Sequence, residues 1–172
     1  MGLSSFSEIV KHKLSPVSRL IDHSADYWAH IKGVAETETL EQHTRLVLSY
    51  AISIVEKQQI DGIIDSLCNS IASNDKRLAE DIKLLFVASI AYHDLGKINP
   101  NFQVDKMHNA KFKKERLSID SEHSVLSAFL FLHYFADKTN KSDFEPKKKE
   151  LLFGIIMLFC LPILKHHAWG LT

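Results

Sequence analysis

The sequence predicts an all-α fold, a single helical bundle of about five to seven helices. Three observations predict it. Apolar residues recur at helical spacing in successive windows, whereas sustained period-two alternation and hairpin signals are missing. Apolar residues make up 45% of the 172-residue chain and charged residues 24%, the balance of a globular domain with a real core. No internal repeat or low-complexity tract divides the chain, so residues 1–172 read as one domain.

The elements follow in order. Ser5 to Lys13 reads as a short helix that ends before Pro16, and Ser24 to Ala35 as irregular. A strong helix covers Thr39 to Lys57. Its Leu40, His43, Val47, Tyr50, Ala51 and Ile54 fall at helical spacing, and Glu38 and Glu41 suit its positive end. Ile60 to Ile71 is a shorter amphipathic helix. Asn74 or Asp75 caps the next helix, which runs to about Asp94 with Leu78, Ile82, Leu85, Phe86, Ser89 and Ile90 as its buried stripe. Gly96 then supplies a C-terminal stop. Ile98 to Ser118 is a long basic connection. Asp120 or Ser121 caps a helix through about Ala136, and Lys138 to Lys149 is a polar linker containing Pro146. The last helix covers about Lys148 to Ala168, with a bend near Pro162.

Composition excludes several classes. Formal net charge is zero, so any case for nucleic-acid binding must be local. Cys68 and Cys160 are far apart and sit in apolar stretches, which excludes a zinc finger or disulfide scaffold and suits a reduced, cytoplasmic protein. No secretory signal is evident. The run Leu151 to Leu164 is ~14 residues against the ~20 needed to cross a bilayer, so it reads as a buried core helix and no membrane is expected.

The ten histidines are an excess, because histidine is a mediocre helix former and the commonest metal ligand. The centre is His93-Asp94, within Ala91-Tyr92-His93-Asp94-Leu95-Gly96-Lys97. Imidazole nitrogen and carboxylate oxygen suit a borderline or hard divalent metal, and one carboxylate can bridge two ions. A lone His-Asp pair is common by chance, and a lone histidine on an apolar face, such as His43, is ordinarily a core residue. Context changes the reading. His43 lies near the start of one helix, His123 at the first turn of another and His166-His167 at the end of the last. One end of a bundle can collect them all. His12, His23, His108 and His133 match no pattern and read as surface or packing residues; His30 is not assigned as a ligand.

This residue order resembles the HD phosphohydrolase superfamily. More sharply, it resembles the HD nuclease domain of the CRISPR-associated type I helicase-nuclease. That resemblance rests on His43, His93, Asp94, Gly96, Lys97, Pro100, Phe102, Gln103, His123, Ser124, His166 and His167, with Tyr27-Trp28-Ala29-His30 similar to the family's opening stretch. The family pattern carries a further metal-binding Asp beyond the His-His pair, and no Asp follows His167 here. The resemblance therefore implies a domain shortened at its C-terminal end, without the helicase normally fused behind it.

What the resemblance implies can be stated residue by residue. One metal is held by His43, His93 and Asp94, with the family's last Asp as a further ligand. The second is held by Asp94, His123, His166 and His167. The cofactors are one or two divalent ions such as Mn, Mg, Ni or Co. The first site is expected to be weakly occupied and the second better occupied. Asp94, His93 and Lys97 are the catalytic candidates, Lys97 by offsetting charge on the phosphate. The substrate is single-stranded DNA, cut in antiviral defence, and the partners are a helicase domain or subunit and the CRISPR surveillance complex. Lys106, Lys111, Lys113, Lys114 and Arg116 can guide the DNA backbone, and Phe102 and Phe112 can stack on bases. Trp28 and Trp169 read as core or lid residues. The alternatives are an HD phosphohydrolase of nucleotides or small phosphate esters, and a catalytically impaired fragment.

Overall fold

Capping chemistry sets where the helices start. In the computed structural model, which describes residues 2–14, 26–32, 36–116 and 122–166, Ser5 and Glu8 close a capping box over the turn α1 (Phe6–Glu8). That turn continues as a π-wound segment, Ile9–Lys13. Thr39 and Gln42 close a second box at the start of α2 (Leu40–Lys57). Such reciprocal bonds satisfy donors that a helix start leaves open. After α3 (Asp61–Ile71), the Asp75 side chain accepts from the Leu78 N–H and starts α4 (Lys76–Tyr92). A 3-10 turn, Leu95–Ile98, leads to α5 (Pro100–Asp105), capped by Asn99 with Pro100 in its first turn. Then come α6 (His123–Lys141) and α7 (Pro146–Lys165).

Seven α-helices among the described residues, with one small sheet, make this the all-α bundle the sequence predicts. The axis of the bundle is α4, which touches α2, α3, α6 and α7. Its Leu78, Ala79, Ile82, Leu85, Val87, Ala88 and Ala91 are all buried, and Tyr92 packs on Phe131 and Phe135 of α6. Each large side chain so buried contributes roughly 1.5–3 kcal/mol. Lys83 is also wholly buried in α4. Its ammonium lies 2.7 Å from Asp61 and pairs with Asp65, one turn further along α3. Burial alone pulls the Lys83 pKa down, but the two carboxylates hold it above the ordinary lysine value.

Several elements differ from the sequence reading. The stretch read as irregular contains a strand, β1 (Trp28–Lys32), antiparallel to β2 (Glu36–Thr39). Trp28 faces Thr39 and His30 faces Glu38, so Ala29 is the extra residue of a bulge. Strands this short, with a bulge inside, cannot sustain a period-two signal. The basic connection contains α5. The polar linker is shorter than expected, because α6 runs on to Lys141 and Pro146 already belongs to α7. The N-cap of α6 is Glu122, with no side-chain capping bond; Asp120 and Ser121 lie outside the described residues. Gly96 is not a left-handed stop. It is required by close approach, since a Cβ there would sit 1.9 Å from the His123 carbonyl oxygen. Nor is α7 buried all round: Leu152, Ile155, Ile156 and Ile163 enter the core, whereas Met157, Leu158 and Leu161 are more than half exposed. Among the described residues no helix is long and apolar enough to cross a membrane.

Candidate metal centre

The helical register of α4 ends at Tyr92, and the chain there turns into the 3-10 segment. His93 is the C-cap, and Asp94 follows at φ −112°, ψ 5°, outside helical geometry. This break lets two neighbouring side chains serve one place. Asp94 is 3% exposed, and both carboxylate oxygens are surrounded. His123 Nε2 lies 3.1 Å and His166 Nε2 2.9 Å from Oδ1. His43 Nε2 lies 3.1 Å, His93 Nε2 3.4 Å and Lys97 Nζ 2.7 Å from Oδ2. The first turn of α2, the ends of α4 and α7 and the start of α6 thus meet at one carboxylate.

The rings are oriented from behind. His93 Nδ1 is 2.8 Å from the Ile90 carbonyl, and His166 Nδ1 is 2.7 Å from the Ile163 carbonyl. In each case the carbonyl three residues earlier takes the Nδ1–H, which leaves Nε2 to face Asp94. His43 Nδ1 faces the Glu38 carboxylate at 3.7 Å. His43 and His93 bring their Nε2 atoms to 3.4 Å, and His123 and His166 theirs to 3.3 Å. Inward-facing imidazole nitrogens this close, converging on a carboxylate, form a donor set that fits a divalent cation. Among the described residues two groups can hold one: His30, His43 and Asp94, and Asp94, His123 and His166, each with donor atoms within 4.8 Å of one another. Both cysteines are buried in the core, so the set is nitrogen and oxygen only.

Electrostatics agree with a centre built for positive charge. Burial alone would raise the Asp94 pKa, but hydrogen bonding to His123, His166 and His43, with the charge of His93, holds the carboxyl far below the usual range. Burial pushes the His93 pKa down against the pull of Asp94. His166 goes the other way: burial lowers it, but its bonds to Asp94 and the Ile163 carbonyl outweigh that and raise it. Burial and the nearby Lys97 charge lower the His30 pKa.

Other residues of the pattern turn out to be the frame of the centre. Gln103 is fully buried. Its amide donates to the Lys97 carbonyl at 2.7 Å and the Trp28 carbonyl at 3.0 Å, and its oxygen accepts from the Trp28 N–H at 2.9 Å. It straps β1 to the turn after His93-Asp94. Gly96 N–H donates to Ser127 Oγ at 2.7 Å, drawing the same turn onto α6. Phe102 is buried edge-on against the His123 ring, 4.7 Å between centroids, so it is a packing residue rather than an available stacking platform. Phe112 rests on Tyr27.

Lys97 is no surface helix lysine. It is 2% exposed, and besides Asp94 its Nζ donates to the Ala29 carbonyl at 3.1 Å. It lines, with His30, Phe102, Lys106, Met107 and His123, an open cavity of about 730 Å³ beside the centre. Of the basic residues in the following segment, Lys106 lines this cavity. Lys111 pairs with Asp26 and Lys114 with Asp105, while Lys113 and Arg116 are exposed. His167, His23 and Trp169 lie outside the described residues. Sequence reasoning does not assign His30 as a ligand, reads Glu38 only as a charge at a helix start, and leaves Gln103 in the family pattern without a role. His30 sits in the family-like opening stretch, which was the one signal available for it.

Histidines from separate elements gathered on a His-Asp carboxylate, in a helical bundle, define the class: a metal-dependent hydrolase of the HD type. The family is narrower. The chain belongs to the Cas3 HD-domain family, whose model matches residues 11–168. Membership brings nuclease or phosphohydrolase chemistry, divalent metals and a CRISPR setting. No curated protein and no solved structure matches the chain at a significant level.

Proposed function

We propose that this chain cuts single-stranded DNA with one or two divalent ions, for which Asp94 would be the shared ligand, in the degradation of invading DNA. The observation that carries the reading is the double occupation of one buried carboxylate: Oδ1 faces His123 and His166, while Oδ2 faces His43 and His93. His167, next to His166 in sequence, belongs to the same proposal. Such ions, when bound, supply Lewis acidity that polarises a phosphodiester and acidifies water.

The protein's own groups do the rest. Asp94 would offer one carboxylate oxygen to each of two ions. The Ile90 and Ile163 carbonyls fix the tautomers of His93 and His166, so that Nε2 is the ligating atom. Lys97 places an ammonium between the carboxylate and the open cavity, where it offsets negative charge on a phosphate entering from that side. Lys106 extends this positive wall. Lys111, Lys113, Lys114 and Arg116 continue it along the surface. The surface pairs of Lys111 and Lys114 are weak enough to exchange for phosphate contacts. A helicase domain or subunit, acting with the surveillance complex, supplies the single strand.

The test is a cleavage assay on metal-stripped chain with Mn added back, offering labelled single-stranded DNA beside a panel of nucleotides. DNA shortening that needs Mn supports the proposal. Nucleotide turnover without DNA cleavage replaces it with a small-molecule phosphohydrolase, and no turnover of either overturns it in favour of a catalytically impaired chain.

A further inference from the structure

We infer that His30 is a protein ligand of the ion on the Oδ2 side of Asp94. The inference rests on the metal-dependent reading above. It adds a ligand from the strand pair, an element outside the helices that carry the other histidines.

The geometry begins with the bulge at Ala29. Because two residues of β1 oppose one of β2, His30 pairs with Glu38 rather than continuing the register from Trp28. The His30 ring then packs edge-on against His43, 4.6 Å between centroids. Its donor atom lies with those of His43 and Asp94 inside a 4.8 Å group. Glu38, directly across the ladder, faces Nδ1 of the same His43. The strand pair thus supplies both a donor beside His43 and a carboxylate behind it. Gln103 binds Trp28 through both backbone groups, which holds β1 in place. A single buried glutamine therefore couples the position of His30 to the turn that carries Asp94 and Lys97.

A cationic group already stands among these donors. Lys97 Nζ is 2.7 Å from Asp94 Oδ2, 3.1 Å from the Ala29 carbonyl and 3.5 Å from His30 Nε2. These neighbours are all acceptors, apart from an imidazole nitrogen that can act as one. An ion entering this half takes the place of the ammonium, and the cavity that Lys97 lines gives its side chain somewhere to go. The contact between Lys97 and His30 places a His30 ring nitrogen where an incoming cation would meet it.

The experiment is equilibrium uptake of Mn by the metal-stripped chain, with elemental analysis after dialysis. It is paired with visible spectra of the Co-loaded protein, and wild type is compared with H30Q, H30D and H166Q. Two ions are expected in wild type. H30Q is expected to keep one ion and lose the other by roughly ten-fold or more in affinity, with a changed Co spectrum. H30D is expected to recover uptake, because a carboxylate ligates whereas a glutamine amide does so poorly. H30Q binding both ions as wild type does, with an unchanged Co spectrum, overturns the inference and leaves the metal reading standing. So does an H30D variant as defective as H30Q. Wild type taking up no ion overturns the metal reading itself, and with it this ligand.

Discussion

The two sides of Asp94 are built differently. On the Oδ1 side, His123 and His166 come from the facing ends of the two longest helices, α6 and α7, which pack along their length. Phe102 buttresses one ring and the Ile163 carbonyl pins the other. On the Oδ2 side, the donors come from the start of α2, the end of α4 and a bulged strand, and Lys97 stands among them. On the second side an ammonium already lies against the carboxylate oxygen, so an ion proposed for that side would have to exchange with an internal cation. The difference teaches that donor count alone does not rank two candidate sites; the charge already present counts as well.

Replacing the shared group should erase the comparison. D94N removes the charge common to both sides, so both ions are expected to be lost, and cleavage to fall by roughly three orders of magnitude or more. Mn uptake and turnover measured on the same preparation check this. Cleavage that survives in D94N locates the chemistry elsewhere.

G96A should act mainly on the Oδ1 side. A Cβ at 1.9 Å from the His123 carbonyl and 2.7 Å from the Ser127 nitrogen forces the turn away from α6. The expected cost is about 3 kcal/mol of stability, read as a lower midpoint in thermal unfolding, with the tighter ion weakened. An unchanged midpoint would mean that the turn and α6 are not in this contact.

H166Q and K97M sharpen the contrast from opposite ends. H166Q is expected to weaken the tighter ion by about 10- to 100-fold and leave the weaker one nearly unchanged. K97M removes the competing ammonium, so the weaker ion should bind more tightly, by roughly ten-fold or less. Cleavage should still fall, because the charge facing the phosphate is gone. Calorimetric titration with Mn separates the two sites. Equal loss at both sites in H166Q would show that the halves are not independent.

The smallest effect is on pH. The folded His166 pKa is raised above its unfolded value of about 6.5. Its bond to Asp94 therefore stabilises the metal-free chain fully below that value, and the contribution is lost as pH rises through the folded pKa. Metal uptake runs the other way, because ligation needs the unprotonated nitrogen. Thermal unfolding of metal-free wild type and H166Q should converge as pH rises through this window, while Mn affinity of wild type increases. Parallel curves would remove His166 from the account.

How much was legible follows from where each residue sits. Most helices declared themselves through apolar spacing and, for α4, through the cap Asp75, whereas the short α5 lay hidden in a basic connection. His43, His93, Asp94, His123 and His166 could be picked out because each marks a helix end or first turn, and such ends can share one face of a bundle. His30 could not. It lies on a five-residue strand whose bulge cancels the alternation that would have revealed it. Lys97 was legible as a residue near the site, but its burial against the carboxylate depends on Gln103 and the Ala29 carbonyl, which no local pattern connects to it. Gly96 looked like a helix stop because glycine often is one, whereas here its value lies in a contact with a helix that starts 27 residues later in the chain.

By itself the sequence determined the class of fold, the approximate extent of most helices and the chemistry of the donors, because spacing, caps and side-chain types are local properties. Tertiary structure alone decided that the donors converge on two oxygens of one aspartate, that a lysine shares one of them and that a strand adds a histidine beside it. Those outcomes depend on how α4, α6, α7 and β1 pack, and packing joins residues that are distant in sequence.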